Sequence, residues 1–358
     1  MGKRIVIMAG GTGGHVFPAL AVAEYLIEHD WQVSWLGTHK GLESRVIPEH
    51  GIAIDWLSVA GVRGKGVIAK IRAFFMLFKA CFQAVKILHT RKPDVVLGMG
   101  GFVAGPGGLM AKFLGIPLVI HEQNRVPGTT NRFLARIANQ VLEAFPSSFE
   151  QHTKAKFTGN PLRKKFLNVA RNKQQRVESE IRLLIVGGSQ GAQILNEIVP
   201  EAIFQFKKID PKHRLVKVKH QTGVAMLSQV DERYKELDID SEASAFIQDM
   251  VAVYDWADLV ICRAGAMTVS EVAAMGLPAI FIPLPSAIDD HQSANACYLT
   301  DAGAGLMLRQ NNLNPLSLAE YIGEALNKLA KMSKDAQKCA RLDATETVAG
   351  ICMAEAGL

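Results

Sequence analysis

The fold is decided by the stretch Lys3-Arg-Ile-Val-Ile-Met-Ala-Gly-Gly-Thr-Gly-Gly-His-Val-Phe-Pro18. In it a short apolar run ends in glycines, and apolar residues at helical spacing follow from Pro18 onwards. This order predicts a strand, a tight turn and a helix. Further strand candidates alternate with helical stretches at residues 32–36, 95–97, 118–120 and around 141. The first half of the chain is therefore predicted to form a parallel α/β sheet with right-handed crossovers.

The same pattern restarts in the middle of the chain. Ile181-Arg-Leu-Leu-Ile-Val186 runs into Gly187-Gly-Ser-Gln-Gly191, and a helical stretch begins at about Ala192. Three more strand candidates follow at residues 215–218, 259–262 and 279–282. The polar, charged stretch that follows Gly159-Asn-Pro161 and runs through Glu180 is interpreted as a linker. Two α/β units in tandem are thus predicted, each opening with a strand and a glycine-rich turn.

The length of the chain agrees with two hydrophobic cores, because 358 residues exceed the size at which one core usually stops growing. The predicted domains cover residues 1–160 and 161–340. Helical spacing near the end predicts that residues 341–358 form a helix packing back onto the first domain. Open parallel sheets bind ligands at the carboxyl ends of their strands, so functional residues are expected in the turns that follow strands.

Composition and charge restrict the class of protein. The five cysteines are odd in number, widely spaced and without a Cys-x-x-Cys pair, which favours a reducing cytosol. The apolar run from Ile5 to Ala9 is too short for a signal peptide, and no uncharged apolar stretch is long enough to span a bilayer. Residues 1–160 hold 18 basic and 10 acidic residues, whereas residues 161–358 hold 22 and 24. An anionic partner is therefore expected for the first half.

The basic excess is sharpest between Gly61 and Pro93, where eight basic residues and no acidic residue occur. The segment 66–88 is rich in large apolar side chains, and basic residues recur every seven positions at Lys65, Arg72, Lys79 and Lys86. A core helix with one solvated face is one interpretation. The wide apolar arc beside a cationic stripe favours contact with an anionic membrane surface instead.

The first glycine-rich turn, Gly10-Gly-Thr-Gly-Gly-His15, is suited to an oxygen-rich ligand, because glycines let backbone amides approach it and the next helix offers its positive end. It fails the dinucleotide template, since Val16 stands at the sixth position and no ribose-binding carboxylate follows the strand near Gly37. At a helix N-terminus His15 is expected to stay neutral, which suits a general base; a structural histidine is the alternative.

Two turns of the second half favour a nucleotide diphosphate. In the turn from Gly187 to Gly191, glycines would again let backbone amides approach an anionic ligand. Tight packing of a strand against a helix is the alternative purpose of these small residues. The turn is not a P-loop, because that motif does not occur in the chain. In the second turn, Arg263-Ala-Gly-Ala-Met-Thr-Val-Ser-Glu271, arginine at a strand end is placed for phosphate, the helix amides can hold the same charge, and Glu271 can accept both ribose hydroxyls. If Arg263 or Glu271 is considered alone, a role in a surface salt bridge is the alternative interpretation.

Other polar and glycine-rich segments complete the set of candidates. The glycine-rich segment Gly98 to Gly108 is interpreted as a ligand-facing loop, and His121-Glu-Gln-Asn124 follows a predicted strand. Both are suited to a sugar or a phosphate. The acidic pairs in Asp238-Ile-Asp240 and at Asp289-Asp290 are interpreted as solvated loops. Without His, Cys or carboxylate spacing typical of a metal site, no metal is predicted.

In this order along nearly the whole chain, the segments 10–15, 98–108, 121–124, 159–163, 187–191 and 263–271 resemble the MurG family, the undecaprenyl-diphospho-muramoylpentapeptide N-acetylglucosaminyltransferases. The resemblance implies the GT-B fold, with two Rossmann-like domains facing each other across a cleft. It implies inverting, metal-independent transfer of N-acetylglucosamine from UDP-N-acetylglucosamine, held by the second domain, to the 4-hydroxyl of lipid I, held by the first. It further implies a peripheral enzyme at the cytoplasmic face of the bacterial inner membrane, with no cofactor and no nucleic acid partner.

Site residues carried over by position follow from the resemblance as well. His15 would be the base, with Thr12 and Asn124 placing the acceptor or the transferred sugar beside Gly13 and Gly14. The diphosphate would be faced by Arg163, Ser189, Arg263 and the amides of Ala266, Met267 and Thr268. Glu271 would hold the ribose and the Ile247 backbone the uracil, and His291 and Gln292 would lie beside the sugar.

Two departures from the family pattern are the Ala264 side chain, where a serine is usual, and His291, where a glutamine is usual. The second weakens the assignment of the side chain that reads the sugar hydroxyls. Two other functions are compatible with the same motifs: a UDP-N-acetylglucosamine 2-epimerase, against which the basic apolar segment argues, and a non-catalytic membrane adaptor that retains a nucleotide pocket.

Overall fold

The computed structural model describes residues 2–59, 67–167, 179–188, 191–285 and 287–357, without the side chains of residues 67–74 and 288. The chain forms two compact units. The first unit comprises Met1–Lys164 together with Arg341–Leu358, and the second comprises Lys165–Ala340.

The first unit is built on a seven-stranded parallel sheet with the order β3-β2-β1-β4-β5-β6-β7. Its strands are β1 Arg4–Met8, β2 Gln32–Gly37, β3 Ala53–Trp56, β4 Val95–Gly98, β5 Leu118–Glu122, β6 Gln140–Glu143 and β7 Lys156–Phe157. Its helices are α1 Gly13–Glu28, α2 Glu43–Glu49, α3 Val67–Arg91, α4 Ala104–Phe113, α5 Thr129–Leu134 and, near the end of the chain, α13 Ala344–Glu355.

The apolar side chains of β1 contribute to hydrophobic clusters on both faces of the sheet, because successive side chains of a strand point to opposite sides. Ile5 and Ile7 belong to the cluster that contains α1 and α13, whereas Val6 and Met8 belong to the cluster that contains α3 and α4. All four side chains are almost fully buried. The sheet is therefore the middle layer of three.

The second unit has a six-stranded parallel sheet with the order β10-β9-β8-β11-β12-β13. Its strands are β8 Glu180–Val186, β9 Leu215–Gln221, β10 Asp240–Ser244, β11 Leu259–Cys262, β12 Ala279–Phe281 and β13 Gly305–Met307. Its helices are α7 Gln193–Ile209, α8 Leu227–Glu236, α9 Met250–Trp256, α10 Ala266–Ala274, α11 His291–Thr300 and α12 Pro315–Cys339, and the short helix α6 Lys164–Leu167 begins at the boundary between the units.

Two sequence interpretations are wrong in detail. The segment 98–108 is mostly not a loop, because α4 begins at Ala104. A Cβ on Gly107 would stand 2.3 Å from the Met8 sulfur, and one on Gly108 would stand 3.0 Å from a Leu134 methyl. These two glycines let α4 pack closely against its neighbours rather than approach a ligand. The predicted linker likewise contains α6, and Glu180 already belongs to β8.

The acidic segment also differs from expectation. Asp240 opens the strand β10, because residues 240–244 pair in parallel with residues 217–221 of β9. This pairing is tertiary and is not encoded in local spacing. In the segment 341–358, where one helix is predicted, α13 spans Ala344–Glu355, and its residues Val348, Ala349 and Cys352 share a buried cluster with α1.

Strand order places one switch point in each unit. In the first sheet the chain reverses its direction of travel between β1 and β4, and in the second between β8 and β11. Loops that leave neighbouring strands in opposite directions open a crevice at their carboxyl ends, which is where α/β sheets bind ligands. The turns after β1, β4, β8 and β11 all lie at these points.

Candidate active site

The turn after β1 is held in place by hydrogen bonds to a buried carboxylate. Glu43 is 0% exposed, and its oxygens accept hydrogen bonds from the backbone N–H of Gly11 at 2.9 Å and from the N–H and hydroxyl of Thr38 at 2.9 and 2.7 Å. Gly11 has a φ of +97°, a conformation that glycine adopts without strain. Glu43 thus fixes the turn that precedes α1, a role that nothing in the local sequence indicated.

His15 lies in the first turn of α1, next to its N-cap residue Thr12 and after Gly13 and Gly14. Its Nδ1 is 3.4 Å from the Thr12 hydroxyl oxygen, and the side chain is half-buried. A Cβ built on Gly100, in the turn after β4, would stand 2.9 Å from the His15 Nε2. The imidazole therefore borders the switch point of the first sheet, and Gly100 provides the room for its ring.

The predicted segment His121 to Asn124 ends β5 and begins the loop beyond it. His121 is fully buried, and its Nε2 donates to the Gly159 carbonyl at 2.9 Å. Burial lowers the pKa of His121 to about 4, so the ring is neutral at physiological pH. His121 therefore serves a structural purpose, tying β5 to the chain at Gly159.

Glu122 positions Asn124 and the loop after it. One carboxylate oxygen accepts from the Asn124 backbone N–H at 2.9 Å and from its side-chain amide at 3.2 Å. The other accepts from the Gly128 N–H at 3.1 Å and from the Asn131 amide at 2.9 Å. Glu122 is 2% exposed, so these bonds satisfy a buried carboxylate and fix Asn124 at the sheet edge.

Arg163 belongs to the first unit and stands over a residue of α1. Its guanidinium carbon is 5.4 Å from the centre of the Phe17 ring, a cation–π arrangement. Phe17 in turn packs against Gly13, because a Cβ on that glycine would stand 2.9 Å from the ring. The structure therefore brings Arg163 to the same first turn of α1 as His15.

The aromatic side chains of α3 are exposed rather than packed in the core. Phe75, Phe78 and Phe82 are 66%, 69% and 73% exposed, and Lys79 and Lys86 are exposed as well. Among the side chains of α3 that the structure describes, the buried ones are Ala80, Ala84 and Leu88. The core-helix interpretation is therefore wrong for these aromatic side chains. No helix within the described ranges is long and apolar enough to cross a membrane.

In the second unit, the turn after β8 precedes α7. Gly191 has a φ of +74°, and a Cβ there would stand 2.1 Å from the Thr222 carbonyl oxygen, so only glycine fits. No described side chain caps the first turn of α7. Ser189, the predicted diphosphate contact in this turn, lies outside the residues that the structure describes.

The turn after β11 is held by hydrogen bonds to side chains at the start of α11. The Gln292 amide oxygen accepts from the Ala264 N–H at 3.3 Å and from the Leu284 N–H at 3.0 Å, and the buried Asn295 amide donates to the Ala264 carbonyl at 3.2 Å. Arg263 donates from Nη1 to the carbonyl of Ile282 at 2.9 Å. Gln292 thus shapes the turn with its oxygen, and its amide N–H groups have no acceptor among the described residues and can serve a ligand. The other N–H groups of Arg263 can serve an anion.

Helix α10 starts directly beyond this turn. Gly265 is its N-cap residue, and no described side chain caps it, so the amides of Ala266, Met267 and Thr268 present their N–H groups as an anion site would. Glu271, further along α10, is 9% exposed, and the Tyr254 hydroxyl lies 3.5 Å from its Oε2. Burial lowers the pKa of Arg263, but an arginine stays charged.

Three other observations concern residues named from the sequence. Ile247 lies in the connection between β10 and α9, and among the described residues no hydrogen bond joins it to the other candidates. His291 begins α11 beside Gln292, after Asp289 and Asp290 in left-handed conformations. Within the described part of the chain, no group of three or more His, Cys, Asp or Glu side chains is arranged to hold a metal ion.

Comparison with known proteins identifies the family. The model of the glycosyltransferase family 28 N-terminal domain matches residues 5–143, and that of the family 28 C-terminal domain matches residues 182–349. The UDP-N-acetylglucosamine--N-acetylmuramyl-(pentapeptide) pyrophosphoryl-undecaprenol N-acetylglucosamine transferase of Methylococcus capsulatus is 55% identical and aligned over 100% of both chains. The chain belongs to glycosyltransferase family 28, within its MurG group. The same-named protein of Shewanella sp. strain MR-4 is 48% identical over 99% of this chain and 98% of its own.

Solved structures agree with this assignment. The crystal structure of Acinetobacter baumannii MurG has a TM-score of 0.86 and 40% identity, covering 98% of this chain and 99% of its own. Its GT-B fold, with two Rossmann-like parallel-sheet domains, is the fold predicted here. The UDP-GlcNAc 2-epimerase of Neisseria meningitidis has a TM-score of 0.66 over 98% of this chain and 100% of its own, but only 12% identity, so it shares the fold alone.

Proposed function

We propose that this family 28 glycosyltransferase moves N-acetylglucosamine from UDP-N-acetylglucosamine to the muramoyl 4-hydroxyl of lipid I, which yields lipid II for peptidoglycan synthesis. One observation carries the proposal: the relative named for this transfer is 55% identical over the whole of both chains. The 2-epimerase neighbour also aligns over nearly the whole chain, but at 12% identity it shares the fold alone. The first unit is assigned to the acceptor and the second to the nucleotide sugar.

The proposed chemistry needs a base for the acceptor and a stable leaving group. His15 takes the proton of the muramoyl 4-hydroxyl while the oxygen of that hydroxyl forms a bond to C1 of N-acetylglucosamine. The C1–oxygen bond to UDP breaks on the opposite face, which inverts C1 and leaves both electrons on the diphosphate. That negative charge is met by the uncapped amides at the start of α10 and by Arg263. Glu271 holds the ribose, the Ile247 backbone holds the uracil, and Arg163, Ser189, His291 and Gln292 complete the contacts.

The function is tested by measuring UDP release and disaccharide product from the full chain, with UDP-N-acetylglucosamine and with or without lipid I. We expect release that depends strictly on the acceptor. A 4-O-methyl lipid I is the matched control substrate, because it fills the same site without a proton to lose, and it should release nothing. Formation of the 2-epimer without acceptor would establish the epimerase, and the absence of both UDP release and epimer under every condition would establish the adaptor.

Peripheral attachment to the cytoplasmic face of the bacterial inner membrane is proposed for the first unit. Its support is the surface of α3, where aromatic side chains are exposed beside Lys79 and Lys86. Apolar side chains can enter the lipid interface while lysines meet anionic head groups at about 1 kcal/mol each.

Sedimentation with lipid vesicles checks the attachment. Binding to phosphatidylglycerol vesicles should exceed binding to phosphatidylcholine vesicles, and the double variant Phe78→Ser, Phe82→Ser should bind at least about tenfold more weakly, because two large apolar side chains are removed from the contact. Val224→Ser, at a residue that is 85% exposed in the second unit, is the control and should bind as wild type does. Equal affinity for both lipids, or undiminished binding of the double variant, would refute attachment through α3.

A further inference from the structure

The segments that follow β5 and β6 line a cavity of about 720 Å³ in the first unit. Three arginines belong to the lining: Arg125 follows Asn124 directly, Arg132 lies on α5, and Arg136 lies just beyond that helix. Arg132 and Arg136 are exposed and Arg125 is half-buried, so the cavity is open to solvent. Pockets that hold ligands of drug size have volumes of about 300–1,000 Å³, so this cavity has room for more than one phosphate or carboxylate group.

Two buried carboxylates fix the walls of the cavity. Glu122 and Glu143 are register partners at the ends of β5 and β6. Glu122 accepts from the backbone N–H groups on either side of residues 125–127, which form one wall. Glu143 accepts from the backbone N–H groups of residues 147–149, at 2.9, 3.0 and 3.1 Å, in the other wall. The cavity is therefore formed before a ligand arrives, and it lies at the carboxyl edge of the sheet, where parallel sheets bind ligands.

The lining combines positive charge with apolar surface. Val126, Pro127 and Phe149 contribute apolar side chains beside the arginines. Among the described residues of the lining, Glu150 is the one acidic residue, and its carboxylate lies 3.2 Å from the His152 Nδ1. A guanidinium group can bind a carboxylate or a phosphate through two parallel hydrogen bonds. The cavity is therefore suited to an anionic molecule that also has apolar groups, as a short acidic peptide does.

We propose that this cavity binds the pentapeptide of the acceptor, and that Arg125, Arg132 and Arg136 hold the carboxylates of that peptide. This rests on the proposed function. In a muramoyl pentapeptide the peptide is attached through an ether at C3, next to the reacting C4, and its last residue has a free carboxylate. An extended pentapeptide reaches about 17 Å from that ether. The cavity begins one residue beyond Asn124, which the resemblance assigns to the acceptor or the transferred sugar, so the peptide can enter it.

Two observations favour the peptide over a lipid head group. The exposed aromatic side chains of α3, which are proposed to contact the membrane, are not among the described residues that line the cavity. The cavity is also lined by arginines, whereas the α3 surface presents Lys79 and Lys86. Arginine is the residue that matches the planar shape of a carboxylate. The three arginines are thus specificity-determining residues that make the enzyme favour an acceptor with a charged peptide.

The test compares kcat/KM for two acceptors, lipid I and an analogue in which the peptide carboxylates are carboxamides. The two acceptors have the same size, but only lipid I has a negatively charged peptide. Wild type should favour lipid I by about tenfold, which is low for hydrogen bonds to a charged group because solvent screens exposed arginines. Neutral detergent micelles are used for both acceptors, so that no anionic lipid competes for the arginines.

The double variant Arg132→Gln, Arg136→Gln removes two guanidinium groups at exposed positions, so the fold should persist. Its preference for lipid I should fall below about threefold, because kcat/KM drops for lipid I and stays nearly unchanged for the carboxamide acceptor. Its affinity for UDP-N-acetylglucosamine should equal that of wild type. Arg45→Gln, Lys92→Gln is the control, because it removes two exposed charges of the same unit outside the lining, and it should keep the wild-type ratio.

A wild-type ratio below twofold would overturn the proposal, as would a wild-type ratio in the double variant. If the variant kept the ratio because both acceptors reacted equally worse, the arginines would hold the acceptor's diphosphate instead. If it kept the ratio but sedimented less with phosphatidylglycerol vesicles, they would hold a lipid head group. Should the double variant fail to fold, the two single variants replace it, and an unchanged ratio in both would overturn the proposal. Failure of the proposed function is distinguishable, since then neither acceptor would be glycosylated at all.

Discussion

Replacing His15 by alanine is expected to lower kcat by a factor of about 100 or more, while the affinity for UDP-N-acetylglucosamine stays nearly unchanged. The imidazole lies in the first unit, where its Nε2 borders Gly100 and its Nδ1 faces the Thr12 hydroxyl. Alanine removes the base but keeps the helix, because alanine is the best helix former. Steady-state turnover with lipid I and calorimetric titration with the donor measure the two quantities separately.

The control for this variant lies directly after the same helix. His29 is exposed at the end of α1, where its ring bonds the Tyr25 carbonyl at 2.8 Å, so His29→Ala removes an imidazole without touching the turn after β1. It should turn over as wild type does. If His15→Ala also kept its turnover, the base would have to be another group, and if it lost donor affinity as strongly as turnover, His15 would be a binding residue.

The parts of the molecule that sequence predicts well are those with a local signal. The strand from Leu259 to Cys262 matches β11 residue for residue, because a fully apolar run bounded by polar residues has few alternatives. Glycine-rich turns after β1 and β8 follow from the same patterns. The short strand β3 and the edge strand β10 went unpredicted, since their residues are polar or mixed and pair only because a neighbouring strand is present.

Composition was a weaker guide to the purpose of glycine and aromatic residues. Glycines in the segment 98–108 were attributed to ligand binding, yet Gly107 serves close packing against Met8, whereas Gly100 does border the candidate base. A count of glycines cannot separate the two purposes, because both need a missing side chain. Likewise, the aromatic residues of α3 could fill a core or face outward, and only the tertiary packing of Ala80 and Ala84 decides between these.

The polar groups that support the site were missed almost entirely. Glu43 holds the turn at Gly11, Glu122 holds Asn124, and Asn295 holds the turn at Ala264. Each is buried, and each bonds a residue that is distant in sequence or belongs to another element. Such a residue gives no periodic or compositional signal, although a carboxylate inside an apolar surrounding is costly unless it is satisfied. Buried polar residues of this kind are therefore harder to recognise from sequence than the turns that they hold in place.

Replacing Glu271 by alanine is expected to weaken UDP binding by about 10-fold to 100-fold and to leave the fold of the second unit intact. The carboxylate is 9% exposed on α10, the helix whose uncapped amides are assigned to the diphosphate. A hydrogen bond to a charged group contributes about 1.5–3 kcal/mol, and the variant loses the bonds to the ribose hydroxyls. Glu324→Ala, at an exposed residue paired with Lys328 in the same unit, is the control and should bind UDP normally.

A nucleotide without ribose hydroxyls isolates the contact. Wild type should bind 2′,3′-dideoxy-UDP as weakly as Glu271→Ala binds UDP, and the variant should lose little further affinity on the dideoxy nucleotide, because both changes remove the same bonds. Glu271→Gln keeps one acceptor oxygen and should fall between the two. Additive losses would instead mean that Glu271 acts through the packing of α10 against Tyr254, where the hydroxyl and the carboxylate are 3.5 Å apart, and the ribose would have to be held by another residue.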